Sequence, residues 1–291
     1  MSLASSSRAR PSAQPRGRDV PVPPGFDMRR HMSAIGSQLA GNANVVMQLS
    51  RPEVGYGVMN SRVPSGSALR HPVKRARTTF TYIAVSMLGS DEERAVFRRA
   101  VNGQHAQVTS TPDEPVTYRA MDPELQRWVA ACLYAGTRDI AVRLHGPLAD
   151  DEADALYAHC ARFGTTLQMP AEAWPEDRAA FETYWAESLE KVHVDDAVRA
   201  YLVRLLTMGA TNPVGRLVVG SQLFATRGFL PHEFRRAMGL PWSSDDERRF
   251  ERLVRRAGRL ERLLPLSFRA LPFDLLLADL RWRHRTGRPL V

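Results

Sequence analysis

His105 lies on a spacing that reads as one helix face: Phe97, Val101, His105 and Val108 fall at i, i+4, i+8 and i+11. An imidazole on an apolar stripe has two ordinary uses. The commoner is as a hydrogen-bonded core residue; the other is to offer a neutral ring nitrogen to a metal. Upstream stands a cationic head, Lys74, Arg75 and Arg77, followed by the hydroxyls of Thr78 and Thr79 and an apolar run through Phe80, Ile83 and Leu88. Other familiar chemistry is missing. The chain has no His-Glu-x-x-His, no phosphate-cradling glycine loop, no Gly-x-Ser-x-Gly and no pair of Glu-x-x-His motifs for a di-iron bundle.

The elements that must position these residues are helices. Gly89 stops the first segment, and Ser90 with Glu93 three residues on has capping-box spacing and opens the second. Residues 109–121, with Pro112 and Pro115, read as a loop with a small hairpin. Asp122 before Pro123 starts the next helix, with Leu125, Trp128, Val129, Cys132 and Leu133 on one side and Gly136 as its expected end. Further on, capped helices are expected from Asp150, Pro175, Asp195, Asn212-Pro213 and Ser244, with a last one over PFDLLLADLRWRHR. The stretch Leu217–Phe224 reads as well buried, and Leu260 as facing inward with Phe250, Leu253, Val254 and Ala257. Between Ala34 and Val58, Gly41, Asn42 and Asn44 are expected to break a long helix. Alternation of two is nearly absent, so the fold class is all-α.

The chain has 291 residues, 44% hydrophobic and 24% charged, an ordinary globular composition. Residues 1–26 read as a disordered tail rich in Ser, Pro and Arg, and 27–291 as one domain. Net charge is +9, and Lys74 and Lys191 are the only lysines beside 38 arginines. The arginines are interspersed with acids and no nucleic-acid module is present, so nucleic acid is not expected as a partner. The arginine-rich side of the helix after Ser244 suits a solvated face, a membrane surface or an acidic redox partner, the solvated face being preferred. No apolar run reaches the roughly 20 residues that span a bilayer, and no secretory signal is visible. Cys132 and Cys160, the only cysteines, read as buried free thiols, and the cytoplasm is the expected compartment.

The order Arg75 and Thr79, a turn, His105-x-x-Val108, Tyr118-x-Ala120-x-Asp122-Pro123, then Trp128-Val129 resembles the latex-clearing protein and MpaB-like oxygenase family. The likeness runs from about Met28 to about Leu280 and thins after Ala180. Members hold a b-type haem in a globin-related all-helical fold, so the resemblance implies such a domain here, with extra C-terminal helices. It also implies His105 as the axial iron ligand, with Arg75 and Thr79 beside the haem. On that footing Arg75 and Arg77 would pair with the propionates, Thr79 would donate to dioxygen, and Thr78, Phe80, Ile83, Val101, Val108 and Trp128 would shape the pocket. The other ring nitrogen of His105 is expected to be fixed by a hydrogen bond. No Cys-x-x-Cys-His pattern is present, so the haem would be held non-covalently.

Where latex-clearing proteins have a lysine that reaches the iron, this chain has Thr78, and Asn102 and Thr109 replace the arginines that flank the ligand. Arg51 and Asn60 stand where other members show histidines, and Glu53 is the nearest carboxylate to the segment around Met59. The resemblance therefore implies a haem- and dioxygen-dependent oxygenase with a rebuilt distal side, acting on a small or medium hydrophobic molecule, with secondary metabolism as the setting and an electron-donor protein as a possible partner. A haem desaturase or peroxidase-like enzyme, and a helical binding protein that has lost its cofactor, are the alternatives.

Overall fold

The computed structural model describes residues 21–63 and 66–291. Most of the expected N-terminal tail lies outside the described residues. The described chain is all-α, with no strand and only an isolated antiparallel bridge, Thr109 with Arg119. Thirteen α-helices follow in order among the described residues: α1 (Ala34–Leu49), α2 (Pro52–Met59), α3 (Pro72–Leu88), α4 (Asp91–His105), α5 (Pro123–His145), α6 (Asp150–Cys160), α7 (Arg162–Thr165), α8 (Arg178–Leu189), α9 (Asp196–Leu206), α10 (Pro213–Phe229), α11 (His232–Met238), α12 (Ser244–Arg262) and α13 (Leu266–Arg285).

Capping explains most of the starts. Ser90 and Glu93 form the reciprocal capping box of α4. Asp122 accepts from the Glu124 amide with Pro123 in the first turn of α5, and Asp195 and Asn212 cap α9 and α10. α5 is the central helix, in contact with α1, α6, α7 and α12. Around it Tyr134, Tyr157, Trp174, Phe181 and Trp185 form a continuous aromatic cluster, for example the edge-on pair Tyr134–Phe181 at 4.7 Å.

Several expectations need correction. α1 runs unbroken through Gly41, Asn42 and Asn44, because Asn44 gains a tertiary partner: its Nδ2 donates to the Cys132 carbonyl at 2.7 Å. Gly136 lies inside α5, where a Cβ would stand 2.3 Å from Asn44 Nδ2, so the glycine permits the close approach of α1 and is not a terminator. Gly146, at φ +101°, follows the last residue of α5 instead. Asp177 caps α8 in place of a start at Pro175, Ser243 caps α12 in place of Ser244, and α13 begins upstream of Pro272. Val214, Leu217, Val218 and Leu260 are exposed, although the Leu217–Phe224 run and Leu260 read as buried. The site itself is assembled by α2, α3, α4, the 108–120 loop and the first half of α5.

Candidate functional site

α3 presents Arg75, Thr78, Thr79, Tyr82 and Ile83 to a common cavity, a spacing of i, i+3, i+4, i+7 and i+8 that is one helical face. α4 contributes Phe97, Val101, Gln104 and His105 on the same pattern. Val54, Gly57 and Val58 of α2, Leu125, Val129 and Leu133 of α5, and Val108, Tyr118 and Ala120 from the loop close the rest. The cavity measures about 230 Å³. Its wall is predominantly aliphatic and aromatic, with a few polar groups at defined points, as ligand sites generally are.

His105 is the last residue of α4, so Val108 lies one turn past the helix rather than on it. The ring is half-buried, and its Nδ1 is buried with no hydrogen-bond partner among the described residues, where a bond was expected. Burial first, and the Arg75 cation second, pull its pKa down to about 4, so the imidazole is neutral at ordinary pH. The Arg75 guanidinium has no ion pair or hydrogen bond among the described residues, and burial, opposed only by the nearby Tyr201, holds its pKa below the ordinary guanidinium value. A neutral imidazole and an uncompensated guanidinium thus share one cavity.

The polar surroundings are built to hold shape. Gln126 donates to the Ala120 carbonyl at 3.1 Å and to Gln168 at 2.6 Å, and accepts from the Gln168 amide at 2.8 Å. Gln168 in turn donates to Asn102, which ties α4 to α5 beside the cavity. Burial, then a hydrogen bond with Glu114, pushes the buried Tyr118 phenol far above its ordinary pKa, so it stays protonated. Gly57 faces that ring, and a Cβ there would stand 3.3 Å from it. Glu53 also reaches the cavity, paired with Arg51 at 3.4 Å.

Of the residues expected at the site, Arg75, Thr78, Thr79, Ile83, Val101, His105 and Val108 line the cavity together. Arg77, Phe80 and Trp128 are not among its lining. Arg77 turns to α13, where it pairs with Asp279 at 3.1 Å and approaches the Leu290 carbonyl at 3.4 Å. Phe80 packs against the core. Trp128 is fully buried, stacks on Trp185 at 5.5 Å and donates to the Gln48 carbonyl at 3.0 Å. Tyr82 and Gln104 went unremarked, yet each stands seven residues beyond a named lining residue, so helical period alone could have found them. Glu53, named from the sequence only as the nearest carboxylate, and Gln126, not named at all, arrive by tertiary packing, for which the sequence holds no local signal.

The chain belongs to the family described as ER-bound oxygenase mpaB/B'/rubber oxygenase, catalytic domain, which matches residues 28–259. Similar proteins occur in Mycobacterium bovis and in Mycobacterium tuberculosis, both described only as uncharacterised; each is 48% identical over 250 residues, covering 86% of this chain and 98% of the relative. No solved structure gives a significant match. No described helix is long and apolar enough to cross a membrane.

Proposed function

We propose that this chain is a haem b-dependent oxygenase acting on a small or medium hydrophobic molecule. The observation that carries the reading is the pairing, in one apolar cavity, of a neutral imidazole with an unpartnered buried Nδ1 and a guanidinium with no counter-charge. The donor set fits haem better than a bare ion. Among the described residues no group of three or more His, Cys, Asp or Glu side chains could hold a metal, so a metal at His105 must bring its other ligands with it, as a porphyrin does. A propionate gives Arg75 the anion it lacks. When bound, haem supplies dioxygen activation and electron transfer, which no side chain of this cavity can perform.

The remaining roles belong to the chain. His105 holds the iron, its imidazole kept neutral by burial and by Arg75. Thr79 offers a hydroxyl donor inside the cavity, with Thr78 beside it on the same face of α3. Val58, Ile83, Val101, Val129 and Leu133 exclude water and leave an apolar substrate as the complementary guest. At about 230 Å³ the cavity is below the roughly 300–1,000 Å³ of most small-molecule sites, so a macrocycle would be admitted only with movement of the lining. Two buried free thiols, Cys132 and Cys160, support a reducing compartment such as the cytoplasm.

The absorption spectrum of the purified protein tests the cofactor: a Soret band is expected, and its absence after reconstitution with haemin would retire the reading. Product analysis under labelled dioxygen then tests the reaction. Label in the product is expected; turnover without dioxygen would overturn the oxygenase assignment.

A further inference from the structure

α13 is apolar on two opposite sides. Ala270, Phe273, Leu277 and Leu280 are buried on the side that packs on α3 and α1. Phe268, Leu271, Leu275 and Trp282, at i, i+3, i+7 and i+14, form a second stripe open to solvent, with Phe268 59% and Leu275 61% exposed. The stripe is about 21 Å long. At its head the corner between α12 and α13 adds Leu260, Leu263 and Leu266, Leu263 being 81% exposed. A helix apolar on both sides calls for cover on both.

The charge around this face is one-sided. From Arg252 to Arg288 the chain carries ten arginines and three carboxylates, so this segment holds seven of the nine net positive charges. None of the three acids offers a free negative charge. Glu261 is buried, Asp274 pairs with Arg29, and Asp279 pairs with Arg77 and Arg283.

We propose that the outer face of α13 and the Leu260–Leu266 corner dock the protein peripherally on an anionic membrane surface. A second copy would set arginine against arginine. A protein partner would need hydrogen bonds to fix its register, and the exposed residues between Phe268 and Trp282 are Leu271, Pro272, Leu275 and Ala278, which can supply none, and Arg281, which is engaged by Glu93. A bilayer interface needs no register. It accepts leucine and phenylalanine in its acyl boundary, indole at the headgroup level and arginine among the phosphates. Trp282, with the Arg288 guanidinium 4.3 Å above its ring, is placed for that boundary. α13 lies beyond the segment that the family match covers. It also packs along α3, whose other side lines the cavity, so docking brings the cavity near a phase where apolar substrates concentrate. The docking does not depend on the haem reading.

Flotation of the full chain with vesicles tests it. Binding is expected to phosphatidylcholine mixed with phosphatidylglycerol and not to phosphatidylcholine alone, and it should weaken with salt. L271E/L275E and, separately, R259E/R285E should each cut partition about tenfold or more while the unfolding curve stays that of the parent, since all four side chains are exposed. Trp282 is the one exposed tryptophan of the five, so its emission should shift to the blue on mixed vesicles, and W282F should abolish the shift. No binding to mixed vesicles, or equal binding by L271E/L275E, would overturn the proposal. So would a wild-type dimer in sedimentation that L271E/L275E turns monomeric, since a second copy would then cover the stripe.

Discussion

Replacing Arg75 with methionine should stabilise the apo-protein and weaken haem binding at the same time. Methionine keeps most of the length and apolar contact of the side chain and removes the charge. In the fold Arg75 is a half-buried cation with no counter-ion among the described residues. A fully desolvated ion costs several kcal/mol; allowing for the part still open to solvent, the relief here is about 1–2 kcal/mol. That corresponds to a rise of roughly 2–6 °C in the unfolding midpoint of a chain this size. If Arg75 pairs with a propionate, the same change removes a charge-assisted bond of about 1.5–3 kcal/mol. Haem affinity should then fall roughly 10- to 150-fold. Urea unfolding of the apo-protein and absorbance titration with haemin read the two effects separately. Arg75→Lys should recover part of the affinity only, because an ammonium lacks the planar fork. A destabilised apo-protein would show that Arg75 has a structural partner, and unchanged haem affinity would show that no anion sits beside it; either result refutes the reasoning.

Four other changes are informative. His105→Ala should abolish most bound haem, whereas the same change at His145, His159, His193 or His284, none of which lines the cavity, should keep it; the Soret absorbance per mole of protein decides. Thr79→Val keeps the volume and removes the hydroxyl, so haem should be retained while turnover slows roughly tenfold to a thousandfold, and unchanged turnover would end its donor role. Ser33 caps α1 and donates to the buried Glu261 at 2.7 Å, so Ser33→Ala should cost about 2–4 kcal/mol in urea unfolding, the cap and the stranded carboxylate together. Burial, partly offset by the Ser33 bond, raises the Glu261 pKa above 4.5, so the folded state binds that proton more tightly and loses stability as pH rises from about 4.5 through the raised value; Glu261→Gln should flatten this slope.

The helix starts were legible because caps are local. Ser90 with Glu93, Asp122 with Pro123 and Asn212 with Pro213 each satisfy amides within three residues, and no tertiary contact is needed to read them. Helix interiors were less legible where a distant partner decides. Asn44 and Gly136 look like breakers in isolation, yet each belongs to the same α1–α5 crossing, one filling the space the other leaves. The exposed leucines of α10 and α12 misled for a related reason. Apolar residues at helical spacing say that a face seeks cover, but not whether this chain provides it.

The cavity shows how far residue order alone reaches. On α3 each residue turns the helix by about 100°. Arg75 and Thr79 are therefore about 40° apart and share a face, while Arg75 and Arg77 are about 160° apart and cannot serve one ligand from the same straight helix. The structure obeys this: Arg75 lines the cavity, and Arg77 holds Asp279 on α13. Trp128 follows the same rule on α5, where Leu125, Val129 and Leu133 line the cavity and the indole is turned to Trp185 and the Gln48 carbonyl. One rotation thus divides the basic head of α3 between two tasks. Arg75 is left as the uncompensated charge of the cavity, and Arg77 fastens α13 to the back of the helix that forms its wall. Moving a cation from position 75 to position 76 would leave composition and local propensity almost unchanged and empty the cavity of the one arginine that lines it among the described residues, which is why a swap of Arg75 and Ala76 should depress haem binding as deeply as Arg75→Met does.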